Sequence, residues 1–175
     1  MDWNASMQQT FEFYKIDPIT WRDVELIDDI ISCSISRDST AETLGSATID
    51  KSTALDECYI RVYLVCLQNG IKERIPLGTF LVQTPGTSFD GKSSSISLDA
   101  YTPLLELKEN PVPLGYYIAK GSNVMEETYK LLRNNARAPV IKTRSDRTLV
   151  YDFVANTDDT WLSFINDLVM NDDYI

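Results

Sequence analysis

"RIPLGTFLVQTP", residues 74–85, has the composition of a β-strand without its alternation. Ile75, Leu77, Thr79, Leu81 and Gln83 fall on one face; Pro76, Gly78, Phe80, Val82 and Thr84 fall on the other. A half-buried strand is apolar on one face and polar on the other. This one is apolar on both from Leu77 to Val82. Its upstream partner behaves alike: in "CYIRVYLVCL" (58–67), Cys58, Ile60, Val62, Leu64 and Cys66 face one way, and Tyr59, Arg61, Tyr63, Val65 and Leu67 the other. Asn69-Gly70 between them is a strong hairpin signal. The reading predicts a hairpin with one face in a core and the other under a second cover. Two covers are open: amphipathic helices later in the chain, or a neighbouring subunit, since a wide exposed apolar patch is rare on a monomer.

Working outward, strands are expected at 11–17, 29–38, 43–50 and 94–103, with "ITWRDVEL" (19–26) a strand or a surface loop, and 85–93 a loop. Six or seven strands in about a hundred residues, with no room for a normal helix, predict a small antiparallel barrel or sandwich over 1–103, of which the β-barrel is the expected fold. Ser32, Ser34, Ser36, Ser93, Ser95 and Ser97 give two of the strands wet faces.

The pattern changes after 103. A short helix is expected at 103–110, a short strand at 115–121 and another strand at 147–155. A helix at 122–136 buries Val124, Thr128, Leu131 and Leu132, with Asn123 as its cap. A second, at 158–170, carries Trp161, Phe164, Ile165, Leu168 and Val169 at helical spacing, with Asp158 and Asp159 at its positive end. The fold class is α+β: a barrel domain, then a mixed region at 104–175 with two amphipathic helices. Tyr174-Ile175 read as the start of a strand with no continuation, as in a truncated or split chain.

Composition narrows the function. The chain has 175 residues, no histidine and three cysteines without CxxC spacing. Lack of histidine removes Ser-His-Asp and Cys-His catalysis and most zinc chemistry. Cys33, Cys58 and Cys66 read as core thiols, and an odd count with no export signal fits a reducing compartment at synthesis. The acid pairs Asp28-Asp29, Glu126-Glu127, Asp158-Asp159 and Asp172-Asp173 sit at loops or helix starts, where acids cap and solvate. No catalytic, cofactor-binding or metal-binding residue is expected, and the chain reads as a non-enzyme. No apolar run is long enough to span a bilayer.

The formal charge of −10 divides into −8 over 1–60, +4 over 61–150 and −6 over 151–175. The net field repels nucleic acid. The asymmetry suits head-to-tail association of copies. Lys130, Arg133, Arg137, Lys142, Arg144 and Arg147 form a basic run without interleaved aromatic platforms, so it reads as a contact for an acidic face or as solvated surface. Tyr59, Arg61 and Tyr63 are residue types enriched at interfaces. With Leu77, Phe80 and Val82 they are the candidate subunit-contact residues.

The order "DPITWRDVELIDDIISCSISRDS", "LGSATID", "YIRVYLVCLQNGIKERIPLGTFLVQTP", "SISLDAYTPLLELK", a helix after "KGSNV", and "DDTWLSFINDLV" resembles the N-terminal part of bacteriophage baseplate hub proteins of the late control D-like family. The resemblance covers residues 11–172 and is carried mainly by "LGTFLV" and "TWRDV". It implies tail-tube-like barrels, a homotrimer whose ring joins the tail tube to the central spike, other baseplate proteins as partners, and a place in the virion tail after synthesis in the host cytoplasm. DNA would only pass through the lumen, past acidic walls; no cofactor and no membrane insertion are implied. The family's second barrel continues well past the helix at 158–170, which this chain does not. The alternative is a carbohydrate- or receptor-binding β-module of a tail tip, with Trp21 and the tyrosines stacking on sugars.

Overall fold

A computed structural model describes residues 2–83, 86–89 and 94–173. Thr84, Tyr174 and Ile175, read as strand residues from the sequence, and Ser93, counted with the wet serine faces, lie outside the described residues. The chain divides into two compact units, Met1–Thr102 and Pro103–Ile175.

The first unit is an antiparallel sheet of eight strands: β1 (Gln8–Ile16), β2 (Asp23–Ile27), β3 (Ile30–Ser36), β4 (Ser46–Lys51), β5 (Tyr59–Gln68), β6 (Ile71–Val82), β7 (Gly86–Phe89) and β8 (Ser94–Tyr101). The order is β2-β1-β5-β6-β8-β4-β3, with β7 also on β8. β7 falls in the stretch expected to be a loop. β5 and β6 form the anticipated hairpin, and Asn69 and Gly70 both take positive φ (51° and 77°), as a type I′ turn requires.

The sheet does not close into the expected barrel. β2 and β3 are its two ends; two residues, Asp28 and Asp29, join them, yet no ladder pairs them. Side chains at the corner explain the divergence. The buried Lys51 ammonium lies 2.5 Å from the Asp29 carboxylate, Thr53 N–H donates to that carboxylate at 3.1 Å, and Ser52 N–H donates to Asp29 O at 3.3 Å. The start of β3 is thus tied to the end of β4, while β2 pairs with β1 alone. The result is two leaves, β2-β1-β5-β6 and β8-β4-β3, joined among the described residues by the ladder pairs Leu81–Tyr101 and Val82–Ala100 and by Gln83 N–H donating to Asp99 O at 2.8 Å. Their core contains Phe13, Ile60, Val62, Phe80 and Val82 from one leaf and Ile49, Ile96, Leu98 and Ala100 from the other.

The odd pattern of residues 74–85 is a bulge. Val62 faces Gly78 but Tyr63 faces Pro76, so Leu77 is an extra residue in β6. The insertion flips the parity of the strand. Ile75 precedes it and Phe80 and Val82 follow it, yet in the paired register all three fall on one side, opposite Leu64, Ile60 and the neighbourhood of Cys58. A strict period of two therefore sorted the residues wrongly across Leu77.

The second unit holds α1 (Leu105–Glu109), β9 (Tyr117–Ile118), α2 (Val124–Asn135), β10 (Phe153–Val154) and α3 (Trp161–Asp173). β9 and β10 pair, so the strand expected at 147–155 reduces to two residues plus an isolated bridge from Thr148 to Asn123. Asn123 Oδ1 accepts from Glu126 N–H at 2.9 Å and caps α2 as expected. Val124, Thr128 and Leu131 are buried, as are Trp161, Phe164, Ile165 and Leu168 of α3. α3 begins later than its acids suggested: Thr160 N–H donates to Ser163 Oγ at 3.0 Å and Ser163 N–H donates back to Thr160 Oγ1 at 3.3 Å, a capping box built from hydroxyls. Tyr116, Trp161, Phe153 and Phe164 pack ring on ring, with centroids 4.9–5.6 Å apart for the contacts of Phe164 with Phe153 and Tyr116 and of Tyr116 with Trp161.

Candidate assembly surface

The outward face of the β5–β6 hairpin is where the sequence placed its contact residues. The chain itself supplies the first cover on that face. Asp17 Oδ1 accepts from Ile19 N–H (2.7 Å) and Thr20 N–H (3.1 Å), and Trp21 N–H donates to Asp17 O at 2.8 Å. This folded turn, the DPITW segment, brings the Trp21 ring to 4.8 Å from that of Tyr59, which is 2 % exposed. Next along, Asp23 takes an ion pair from Arg61 at 2.9 Å and a hydrogen bond from Tyr63 Oη at 2.8 Å. Arg61 Nε also donates to Thr79 Oγ1 at 3.1 Å. The Arg74 guanidinium lies over Tyr63 (4.2 Å) and Tyr14 (4.8 Å), and its Nε is 3.0 Å from Glu12. Lys72 reaches Glu12 at 2.8 Å; that hydrogen bond is the main reason the Glu12 carboxyl titrates below its ordinary value.

The six expected contact residues therefore separate. Tyr59, Phe80 and Val82 are buried within the chain and have no contact area to offer a partner. Arg61 and Tyr63 are half-buried and engaged with Asp23. Leu77, half-buried at the bulge, accepts from Arg37 Nη2 through its carbonyl and lines an apolar cleft of about 520 Å³ with Phe11, Phe13, Cys33, Ile35 and Val62. The cleft sits at the open seam between β3 and the first leaf. Trp21 and Asp23 were not foreseen as cover. Their signal was "TWRDV" following the turn-former Asp17-Pro18, in a stretch read as strand or loop.

Exposed large apolar residues occur at the tip of this hairpin, Leu67 and Ile71, and on other elements. On the terminal strand β2, Val24 and Leu26 are 60 % and 51 % exposed, and Glu25 between them is exposed. Ser32, Ser34, Ser36 and Ser97 are exposed as expected, and Ser95 is half-buried. Cys58 and Cys66 are buried and Cys33 half-buried; burial pushes the thiols of Cys33 and Cys58 up.

In the second unit, the basic run is pinned by local acids. Lys130 pairs with Glu127 at 2.7 Å and Lys142 with Glu126 at 2.5 Å, while Arg137 N–H donates to Glu106 at 2.9 Å. These pairs raise the Lys130 ammonium and lower the Glu126 carboxyl. Two of the acid pairs considered for catalysis are thus committed to ion pairs: Asp29 to Lys51, and Glu126 and Glu127 to the lysines. Asp159 accepts from Asn156 N–H at 2.7 Å at the entry to α3. No cluster of three potential metal ligands forms among the described residues. No helix among them is long and apolar enough to cross a membrane.

No protein-family model matches the chain, and no curated protein matches it by sequence. Solved structures do match. The fold is similar to a tail protein from Neisseria meningitidis MC58 (TM-score 0.62, 9 % identity, 91 % of this chain, 45 % of that one). It is also similar to the 43 kDa tail protein of prophage MuSo2 from Shewanella oneidensis (TM-score 0.66, 11 % identity, 94 % of this chain, 50 % of that one). The chain spans about half the length of each.

Proposed function

We propose that this chain is a structural component of a phage or phage-like tail, a hub subunit whose copies form a ring joining the tail tube to the central spike. The observation that carries the reading is a fold shared over nine-tenths of the chain with two phage tail proteins. The order of motifs, which resembles late control D-like hub proteins, supports the finer assignment to the hub. The proposed partners are further copies of the chain, as a homotrimer, together with the tube protein, the spike and other baseplate proteins, in the virion tail.

The role is geometric and needs no catalytic group. Among the described residues the open two-leaf sheet ends in edge strands that include β2 and β3, and an edge strand is a template for pairing with another chain. A head-to-tail contact between unlike surfaces generates a closed ring when its rotation closes. The sugar- or receptor-binding alternative leaned on Trp21; with that indole packed on Tyr59, no observation favours it.

The test is the native mass of the purified chain, alone and co-expressed with the neighbouring tail proteins. A trimer, or a fixed three-fold complex with a tube or spike protein, is expected. A monomer under both conditions overturns the ring.

A further inference from the structure

We propose that the segment Val140–Arg144 of one copy adds as an antiparallel strand to the free edge of β2 in a second copy. The inference takes its biological setting from the ring reading above and names a contact within it.

β2 is paired on one side only and shows Val24 and Leu26 to solvent. Natural edges of this kind are blunted or covered, because their unpaired N–H and C=O groups recruit strands. Over residues 17–29 five acids stand against the single base Arg22; Asp23 and Asp29 are held by Arg61 and Lys51, while Glu25 and Asp28 are exposed.

Val140–Arg144 has the complementary character. From Pro139 to Arg147 the chain runs without helix, turn or bend. Among the described residues, the main chain of 140–144 makes no backbone hydrogen bond. Yet the segment is anchored at both ends. Arg137 N–H is held by Glu106 at 2.9 Å, Ser145 O accepts from Asn123 Nδ2 at 2.6 Å, and Arg147 O accepts from Val124 N–H at 3.1 Å. Ile141 is 92 % exposed. A fixed stretch with unpaired peptide groups and an exposed isoleucine is ready to complete a ladder.

Five residues then meet five. Antiparallel pairing sets Val140 against Ile27, Ile141 against Leu26, Lys142 against Glu25, Thr143 against Val24 and Arg144 against Asp23. The β1–β2 ladder slips at Val24, where Lys15 faces Glu25 but Ile16 faces Asp23, and Asp23 is held by Arg61 and Tyr63, so the regular part of the match is Val140–Ile27, Ile141–Leu26 and Lys142–Glu25: apolar on apolar twice and one base on one acid. Cross-strand pairs of both kinds stabilise a sheet. Parallel pairing keeps Lys142 on Glu25 but sets Val140 on Asp23 and Arg144 on the buried Ile27. Lys142 must leave Glu126, but both partners of that pair are more than 40 % exposed, and exposed pairs hold weakly.

The occupant is a second copy because both halves of the match lie on one chain, which gives a head-to-tail contact. The test is a charge swap on the whole chain, read by sedimentation and native mass over a concentration series. Glu25→Lys and Lys142→Glu singly are expected to move self-association to concentrations at least about tenfold higher, since like charges then face each other. The double variant is expected to restore it. Circular dichroism establishes that each variant is folded, as expected for two exposed side chains; should Glu25→Lys misfold, Leu26→Lys with Ile141→Glu replaces that cycle. An oligomer indifferent to all the swaps, or weakened by the singles without rescue, overturns the strand addition and leaves the ring standing. A wild-type chain that is monomeric alone and trimeric only with tail proteins does the same. A monomer in every setting overturns both.

Discussion

The ring of Phe80 lies directly over Gly78, its neighbour two residues back on β6: a Cβ on Gly78 would meet Phe80 Cζ at 2.8 Å. The ring is itself buried in the core and cannot swing away without displacing Ile60 and Val82. The glycine thus makes room for the phenylalanine, immediately after the bulge at Leu77.

Gly78→Ala is therefore expected to destabilise the fold by about 1–3 kcal/mol through overpacking. Phe80→Ala, which empties the same site, is expected to cost about 3–5 kcal/mol. Urea unfolding followed by circular dichroism reads both. If Phe80 served a partner rather than the core, its removal would leave the isolated chain's stability unchanged.

The corner between β2 and β3 gives the fold an acid limit. The Asp29 carboxyl is lowered from 3.8 to about 2, first by the hydrogen bond from Lys51 and then by that from Thr53. A folded-state pKa below the unfolded one contributes stability that is complete above 3.8 and lost as the pH falls through about 2. Asp29→Asn is expected to be less stable at neutral pH, because the buried Lys51, 4 % exposed, loses its carboxylate partner. It is also expected to lose less stability than wild type between pH 4 and pH 2. Melting temperatures across that range decide it.

Trp21 sits at φ 56°, a left-handed conformation that a bulky side chain rarely adopts. Packing on Tyr59 holds it there. Trp21→Ala removes the packing and keeps the backbone cost, whereas Trp21→Gly removes both. The glycine variant is expected to be the more stable of the two by about 1 kcal/mol, and both less stable than wild type. Equal stabilities would mean that the turn relaxes once the indole is gone.

Thr128 Oγ1, buried on α2, has no hydrogen-bond partner. Valine has the same shape and no hydroxyl to desolvate. Thr128→Val is expected to stabilise the chain by about 1 kcal/mol. A loss of stability would point to an ordered water on that oxygen.

What the sequence displayed was local. Asn69-Gly70 announced its hairpin because only a few residue types tolerate two positive φ values in succession. Trp161, Phe164, Ile165 and Leu168 announced α3 because their spacing matches a helical turn. The bulge at Leu77 was visible only as a fault in alternation, since a bulge has no residue signature of its own beyond the glycine beside it. Closure was illegible for a different reason: it depends on whether β2 and β3 pair, and that depends on Asp29 finding Lys51, 22 positions away. The candidate surface suffered most. Residue type offered Tyr59 to a partner and the doubly apolar strand offered Phe80 and Val82, whereas a short turn starting at Asp17 covers Tyr59 and the register after the bulge sets Phe80 and Val82 in the core.

The open seam changes how the first unit yields to strain. A closed barrel is a hoop, and widening it breaks backbone hydrogen bonds all the way along one strand. Two leaves joined in the ladder at Leu81–Tyr101 and Val82–Ala100 form a clasp, whose free side is held by side chains such as Arg37 on Leu77. A clasp yields before it tears. Strain across the first unit is thus expected to open the seam first, with the strands themselves left intact.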